Sequence, residues 1–150
     1  GSYGFVLNKY ITNKISEVID GFPDVQTKIS LGGPVDTSNL FYIHSLGEEI
    51  PNSQNAANGM YIGGDFEAVK ALLTDFPDKA KQIRFFIGYS GWSDNQLQGE
   101  IDEKSWIALN KVSQDMILDT SKKDIWKKML EKLGGKFKVM SKFPKNPSDN

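Results

Sequence analysis

Apolar positions along the chain fall into short runs, most of them closed by glycine, proline or asparagine. Residues 3–7 (YGFVL) form a β-type run ending at Asn8. Thr12 is placed to cap a short helix over 13–20, where Ile15, Val18 and Ile19 recur at helical spacing before Gly21 and Pro23 stop it. Residues 28–31 read as a second strand, broken by Gly32-Gly33-Pro34. Residues 40–46 (LFYIHSL) read as a third and 59–62 (GMYI) as a fourth, halted by Gly63-Gly64, with a polar loop over 47–59 between them. Asp65 then caps a helix running to 75 that buries Phe66, Val69, Leu72 and Leu73. Residues 84–89 (RFFIGY) are nearly continuous in apolar side chains, the pattern of a central strand covered on both faces.

In the second half, Ser93 and Gln96 have capping-box spacing for a short helix toward 101, while 105–109 and 115–118 read as short strands. Ser121 to Asp124 repeats the capping-box spacing ahead of the strongest helical pattern, which ends at Gly134-Gly135. Residues 136–141 read as a last strand, and 144–150, with Pro144 and Pro147, as a loose tail. Alternating strands and helices predict one α/β domain over 1–143: a bent mixed or antiparallel sheet with helices packed outside it.

The segments GFVLN (4–8), LGGPV (31–35), LFYIHSL (40–46), GMYIGGD (59–65), RFFIGYSGWSDNQLQGEI (84–101), SW (105–106), DT (119–120) and IW (125–126) together resemble the AlgH/YqgE family of bacterial proteins. The resemblance runs from the first residues to about 135. It implies a sheet curled into a partial barrel, and a role in transcriptional regulation of the kind from which the family is named, with no general biochemical activity attached. It also implies some thirty further residues, including an apolar strand, ahead of the segment that begins here. The expectation is therefore a fragment, or the ordered part of a longer protein, with a sheet edge or groove left open.

Composition narrows the chemistry. The 150 residues include three Trp, five Tyr and nine Phe, enough for a compact core, and no cysteine. Disulfides, thiolate metal ligands and cysteine nucleophiles are thereby excluded, and a cytoplasmic location is expected. No apolar run approaches the roughly 20 residues of a membrane-spanning helix, and no signal peptide is seen. Net charge is −1, unevenly spread: residues 122–145 hold nine lysines against Asp124 and Glu131, leaving the rest of the chain acidic.

Three strands end in glycine, at 31–34, 62–65 and 87–92, where positive φ or close backbone approach is needed and where α/β sheets hold ligands. These turns are expected to gather at one rim. The candidate pocket residues are Asn8, Gly32, Gly33, His44, Gly63, Gly64, Asp65, Arg84, Tyr89, Ser90 and Trp92. His44 is the only histidine, so no metal site is expected. On an extended strand His44 and Ser45 point to opposite faces, which leaves Ser90 or Ser93 as the geometric partner for a catalytic imidazole. GYSGW lacks the G-x-S-x-G spacing of a nucleophile elbow. No nucleotide-binding fingerprint is present, and no cofactor is expected. Asp65, at a helix start that could hold an anion, reads as a cap instead.

Arg84 is the single arginine beside 17 lysines, which argues against sequence-specific DNA reading. Ile125, Trp126, Met129, Leu130 and Leu133 form an apolar stripe with Lys122, Lys123, Lys127, Lys128 and Lys132 between its turns. That is either a core-packed helix with a solvated lysine face or a contact for an anionic partner. Two readings follow. One is a non-enzymatic binding or regulatory protein taking a protein or small-molecule ligand, and it is preferred. The other is an enzyme, hydrolytic in kind, using His44 as acid or base near Ser90, Arg84 or Asp65.

Overall fold

The computed structural model describes residues 1–122 and 124–143. At its centre lies β6 (Ile83–Trp92), whose first four residues are all buried. It pairs antiparallel with β3 (Val35–His44) on one side. On the other it meets β2 (Ile29–Leu31), parallel, and β1 (Ser2–Gly4), antiparallel. Beyond β3 come β5 (Tyr61–Ile62) and then β4 (Gln54–Asn55), both antiparallel, so the sheet runs β1-β6-β3-β5-β4 with β2 also on β6.

The sheet curls into a half-barrel, and the bend has a local cause. Val35 pairs with Tyr89 and Leu40 with Ile87, so residues 36–39 lie opposite Gly88 alone. Such a bulge bends the strand and tightens its twist. Gly88 sits at φ +70°, and a Cβ there would run into the Gly33 carbonyl, so glycine is required.

Period-two alternation splits β3 and β6 into two faces. Tyr42 and His44, in register with Phe85 and Ile83, face the core. There they meet Ile15, Phe22, Val25, Ile29, Leu46 and Ile50, with Val69 and Leu73 of α2 (Phe66–Asp75). Asp65 caps α2 by accepting from the Glu67 and Ala68 amides at 3.0 and 3.4 Å. The opposite face presents Phe41, Ile43, Arg84 and Phe86.

The remaining helices correct several expectations. α1 (Ile15–Val18) starts at Lys14, whose amide donates to Glu17, and Thr12 does not cap it. α3 (Gln96–Asp102) follows Ser93, whose amide and hydroxyl both donate to the Gln96 side chain. The strand expected at 115–118 is instead α4 (Gln114–Leu118), because the Ser113 hydroxyl accepts from the Met116 amide and starts a helix. Residues 105–109 form no strand, and Trp106 and Ile107 are exposed. After α5 (Ile125–Leu133), the expected strand at 136–141 is α6 (Gly135–Met140), closed by the Ser141 amide on the Phe137 carbonyl. Lys136, Phe137, Lys138 and Val139 alternate polar and apolar as a strand would, but after two positive-φ glycines, Gly134 and Gly135, the chain turns helical again. Ser121 bonds Asp119 rather than capping α5. The tail at 144–150 lies outside the described residues.

Replacing Asp65 by Ala leaves two first-turn amides unpaired and is expected to cost about 1 kcal/mol in urea unfolding, with Asp65→Asn close to wild type. Equal midpoints for Asp65→Ala and the native chain would contradict the capping role.

Candidate functional site

Arg84, fully buried, projects from β6 on the face away from the main core. Among the described residues no carboxylate is one of its hydrogen-bond partners. Its Nε and Nη2 donate to Ser30 Oγ at 3.1 and 2.9 Å, Nη1 to the Ile117 carbonyl at 2.8 Å, and Nη2 to the Leu7 carbonyl and to Tyr10 OH. The guanidinium also lies over the Tyr10 and Phe86 rings. Burial lowers its pKa from the ordinary arginine value, and Tyr10 opposes that shift. The group remains a cation near neutrality. Its donors are taken up by the N-terminal segment, β2 and α4, so Arg84 is a knot and not a waiting anion site.

His44, on the other face, is equally buried. The Leu46 amide donates to Nδ1 at 3.3 Å, which assigns the proton to Nε2. Nε2 then donates toward the Gly63 carbonyl at 3.0 Å and Ser53 Oγ at 2.9 Å. The Ser53 hydroxyl in turn donates to the Ile50 carbonyl at 2.7 Å. An imidazole that gives its proton to the serine beside it is oriented the wrong way to act as that serine's base. Desolvation lowers the His44 pKa from 6.5, offset by the Gly63 bond, so the ring is held neutral. Tyr42 OH donates to the Gly64 carbonyl. Its pKa is raised by burial and then by the charge of Asp65.

His44, Gly63, Gly64 and Asp65 therefore stand together. Gly32, Gly33 and Ser90 form a separate corner: Ser90 Oγ donates to the Gly32 carbonyl at 3.2 Å, and a Cβ on Gly33 would strike the Tyr89 backbone. The β3 register sets these two corners at opposite ends of that strand; backbone packs closely at Gly32 and Gly33, while Gly64 is hemmed in by Ile50, Ser53 and the Pro51 carbonyl. The glycine turns thus do not share one rim. His44 and Arg84 sit on opposite faces, and Ser90 is at the far end from His44. Asn8 is exposed beside the knot.

Two adjoining hollows open on the Arg84 face. A hollow of about 470 Å³ is lined by Tyr3, Phe5, Phe41, Ile62, Tyr89 and Trp92. A second, of about 460 Å³, shares Tyr3, Phe5 and Ile62 and adds Ile43, Met60 and Tyr61. Together they make an aromatic trough along the concave side of the half-barrel. Phe5 stacks on Phe86 at 4.3 Å, while Tyr3 and Phe41 meet Tyr89 edge-on. Of the residues singled out from sequence, Tyr89 and Trp92 line it. Tyr3, Phe5, Phe41 and Ile62 were missed, although the unbroken apolar run of β6 already signalled a second covered face.

At one end of the trough the Trp92 and Trp106 indoles both donate to Glu100 Oε2, at 3.1 and 2.7 Å, and pack edge to face. These bonds, with one from Gln96, lower the Glu100 pKa, that from Trp106 most of all. Lys122, Lys127, Lys128 and Lys132 are exposed on or just before α5, and Lys132 reaches the Lys111 carbonyl at 2.5 Å. Lys123 lies outside the described residues. Among the described residues no three His, Asp or Glu side chains group as a metal site, and no helix is long and apolar enough to cross a membrane.

Comparison with known proteins gives a consistent result. The AlgH-like family model matches residues 1–138. A UPF0301 protein of Bacteroides fragilis is 41% identical over 152 residues, covering 100% of this chain and 76% of its own. One from Chlorobium limicola is 33% identical over 150 residues, covering 100% and 80%. The crystal structure of DIP2367 from Corynebacterium diphtheriae superposes with a TM-score of 0.72 at 19% identity, over 94% of this chain and 75% of that one. The solution structure of AlgH from Pseudomonas aeruginosa gives 0.70 at 18% identity, over 96% and 78%.

Two outcomes follow from the buried groups. Arg84→Met, which strips the donors from two part-buried carbonyls and from the buried Ser30 hydroxyl, is expected to cost on the order of 3 kcal/mol, and Arg84→Lys, lacking the planar fork, nearly as much. A chevron or urea series showing Arg84→Lys at wild-type stability would refute the knot. For His44, the folded pKa lies below the unfolded value, so its stabilising contribution is full above about pH 6.5 and is lost as pH falls through the folded pKa. Between pH 7 and pH 5 the native chain should lose stability that His44→Gln does not. Parallel pH profiles for the two would contradict this.

Proposed function

Because this chain belongs to the AlgH-like family, and because its one imidazole is closed off inside the fold, we propose a non-enzymatic binding role in which the lysine-bearing C-terminal helices engage an acidic partner. The carrying observation is charge segregation: Lys122, Lys127, Lys128 and Lys132 are exposed, while the same helix turns Leu130 inward and half-buries Ile125, Trp126, Met129 and Leu133. Lys136 and Lys138 on α6 extend the basic surface, beside exposed Val139, Met140 and Phe143. A cationic arm on an otherwise acidic body steers toward anionic surfaces. A regulatory role, implied by the family resemblance, would act through such a contact. The hydrolytic alternative gains nothing from His44, whose Nε2 proton is already donated to Gly63 and Ser53.

Polyglutamate serves as a defined acidic probe. Its binding is expected to weaken about tenfold as salt rises from about 50 to about 300 mM, through screening of exposed charges. Lys127→Glu combined with Lys128→Glu should abolish it, while His44→Gln leaves it intact. Salt-independent binding, or full binding by the charge-reversed chain, would reject the reading.

A further inference from the structure

A smaller hollow, of about 270 Å³, shares no lining residue with the trough. It lies where the segment leading into β2 meets the turn after α4, and Lys14, Thr27, Lys28, Thr120 and Ser121 line it. Thr120, 6% exposed, accepts from the Lys28 amide at 3.1 Å, and its Oγ1 stands 3.4 Å from Thr27 Oγ1. Two hydroxyls that bond each other use one proton between them. The other proton has no acceptor among the described residues. Thr120 is the more buried and already accepts from Lys28, so it donates to Thr27, and the Thr27 proton is left for an occupant of the hollow.

The charges around this donor are cationic. Among the described residues no carboxylate lines the hollow. Lys14 meets Asp24 only at 3.8 Å, with both side chains exposed, and the Lys28 ammonium stands 5.0 Å from the centre of the Tyr10 ring. Asp119, one residue before Thr120, is occupied elsewhere: the Ser121 amide and hydroxyl donate to its Oδ1 at 2.9 and 2.6 Å. The Ser121 hydroxyl lowers its pKa most, against burial, and the Ser121 amide and the charges of Lys122 and Lys81 lower it further.

We propose that this hollow binds the phosphoryl group of a small phosphate monoester, which accepts from Lys14, Lys28 and the Thr27 hydroxyl. Lysine meets phosphate as a point charge, without the fork geometry of arginine. A phosphate monoester carries about two negative charges at pH 7 against these two ammoniums, where a carboxylate carries one. The hollow is smaller than the roughly 300 to 1,000 Å³ of sites for drug-sized ligands, which favours an ester of sugar-phosphate size over a dinucleotide. Lys127 and Lys128, which carry the acidic-partner reading, do not line it.

The probe is ribose 5-phosphate, titrated into the 15N-labelled chain. Saturable shifts are expected at the amides of residues 26–28 and 120–121, and free ribose should give none. Lys28→Met, at an exposed side chain, should weaken binding about tenfold with an unchanged melting temperature, and Thr27→Val about fivefold. Lys127→Glu combined with Lys128→Glu should hold the ester within roughly twofold of its native affinity, so this site and the acidic-partner surface stand or fall separately. The proposal is overturned if the ester gives no saturable shifts, if free ribose binds equally well, if Lys28→Met binds like the native chain, or if the shifts fall on α5 and α6 instead.

Discussion

A buried guanidinium with no carboxylate partner among the described residues is the constraint around which this fold is arranged. Removing Arg84 from water is costly, and what compensates it is neutral: the carbonyls of Leu7 and Ile117 and the hydroxyls of Ser30 and Tyr10. Those acceptors come from an N-terminal loop, an edge strand and a late helix. They can reach one point only if the chain returns to β6 from three directions. The planar fork thus ties remote segments to the central strand just before the bulge at Gly88 bends the sheet.

From that bend follow the two faces and their different fates. The convex side has a finished interior in which even the polar groups are consumed, His44 by Gly63, Ser53 and Leu46, and Tyr42 by Gly64. The concave side is apolar but uncovered. Reactive chemistry is therefore sealed on one side, and recognition surface is open on the other and along the lysine-bearing helices. Such a division suits a molecule that acts through contact.

Much of the architecture was legible in the residues. The continuous run RFFIGY marked the central strand, Asp65 marked the start of α2, and the glycine turns marked tight strand ends. What failed did so for local reasons. Met116, Ile117 and Leu118 look alike in a strand or a helix, and only the Ser113 cap decides between them. Lys136 to Val139 alternates like a strand but finds no edge to join. The candidate site was less legible. Glycines at 32, 33 and 88 share a need, backbone against backbone, and this fills a corner instead of opening one. Reading His44 as a reagent missed Ser53, whose proximity depends on how the loop before β5 folds back. The trough was encoded by Phe41 and Phe86 on the second face, but the walls facing each other across it, Tyr3 and Ile62, lie far apart in sequence.

The single arginine makes the central claim directly observable, because one guanidinium gives one uncrowded set of nitrogen signals. In a 15N-resolved spectrum of the labelled chain, Arg84 should show two distinct Nη groups, with slow rotation about Nε–Cζ and protons that exchange with water far more slowly than those of free arginine. A single averaged Nη signal with rapid exchange would mean that the guanidinium is not held by Leu7, Ser30 and Ile117, and the account of how the sheet is tied and bent would fall.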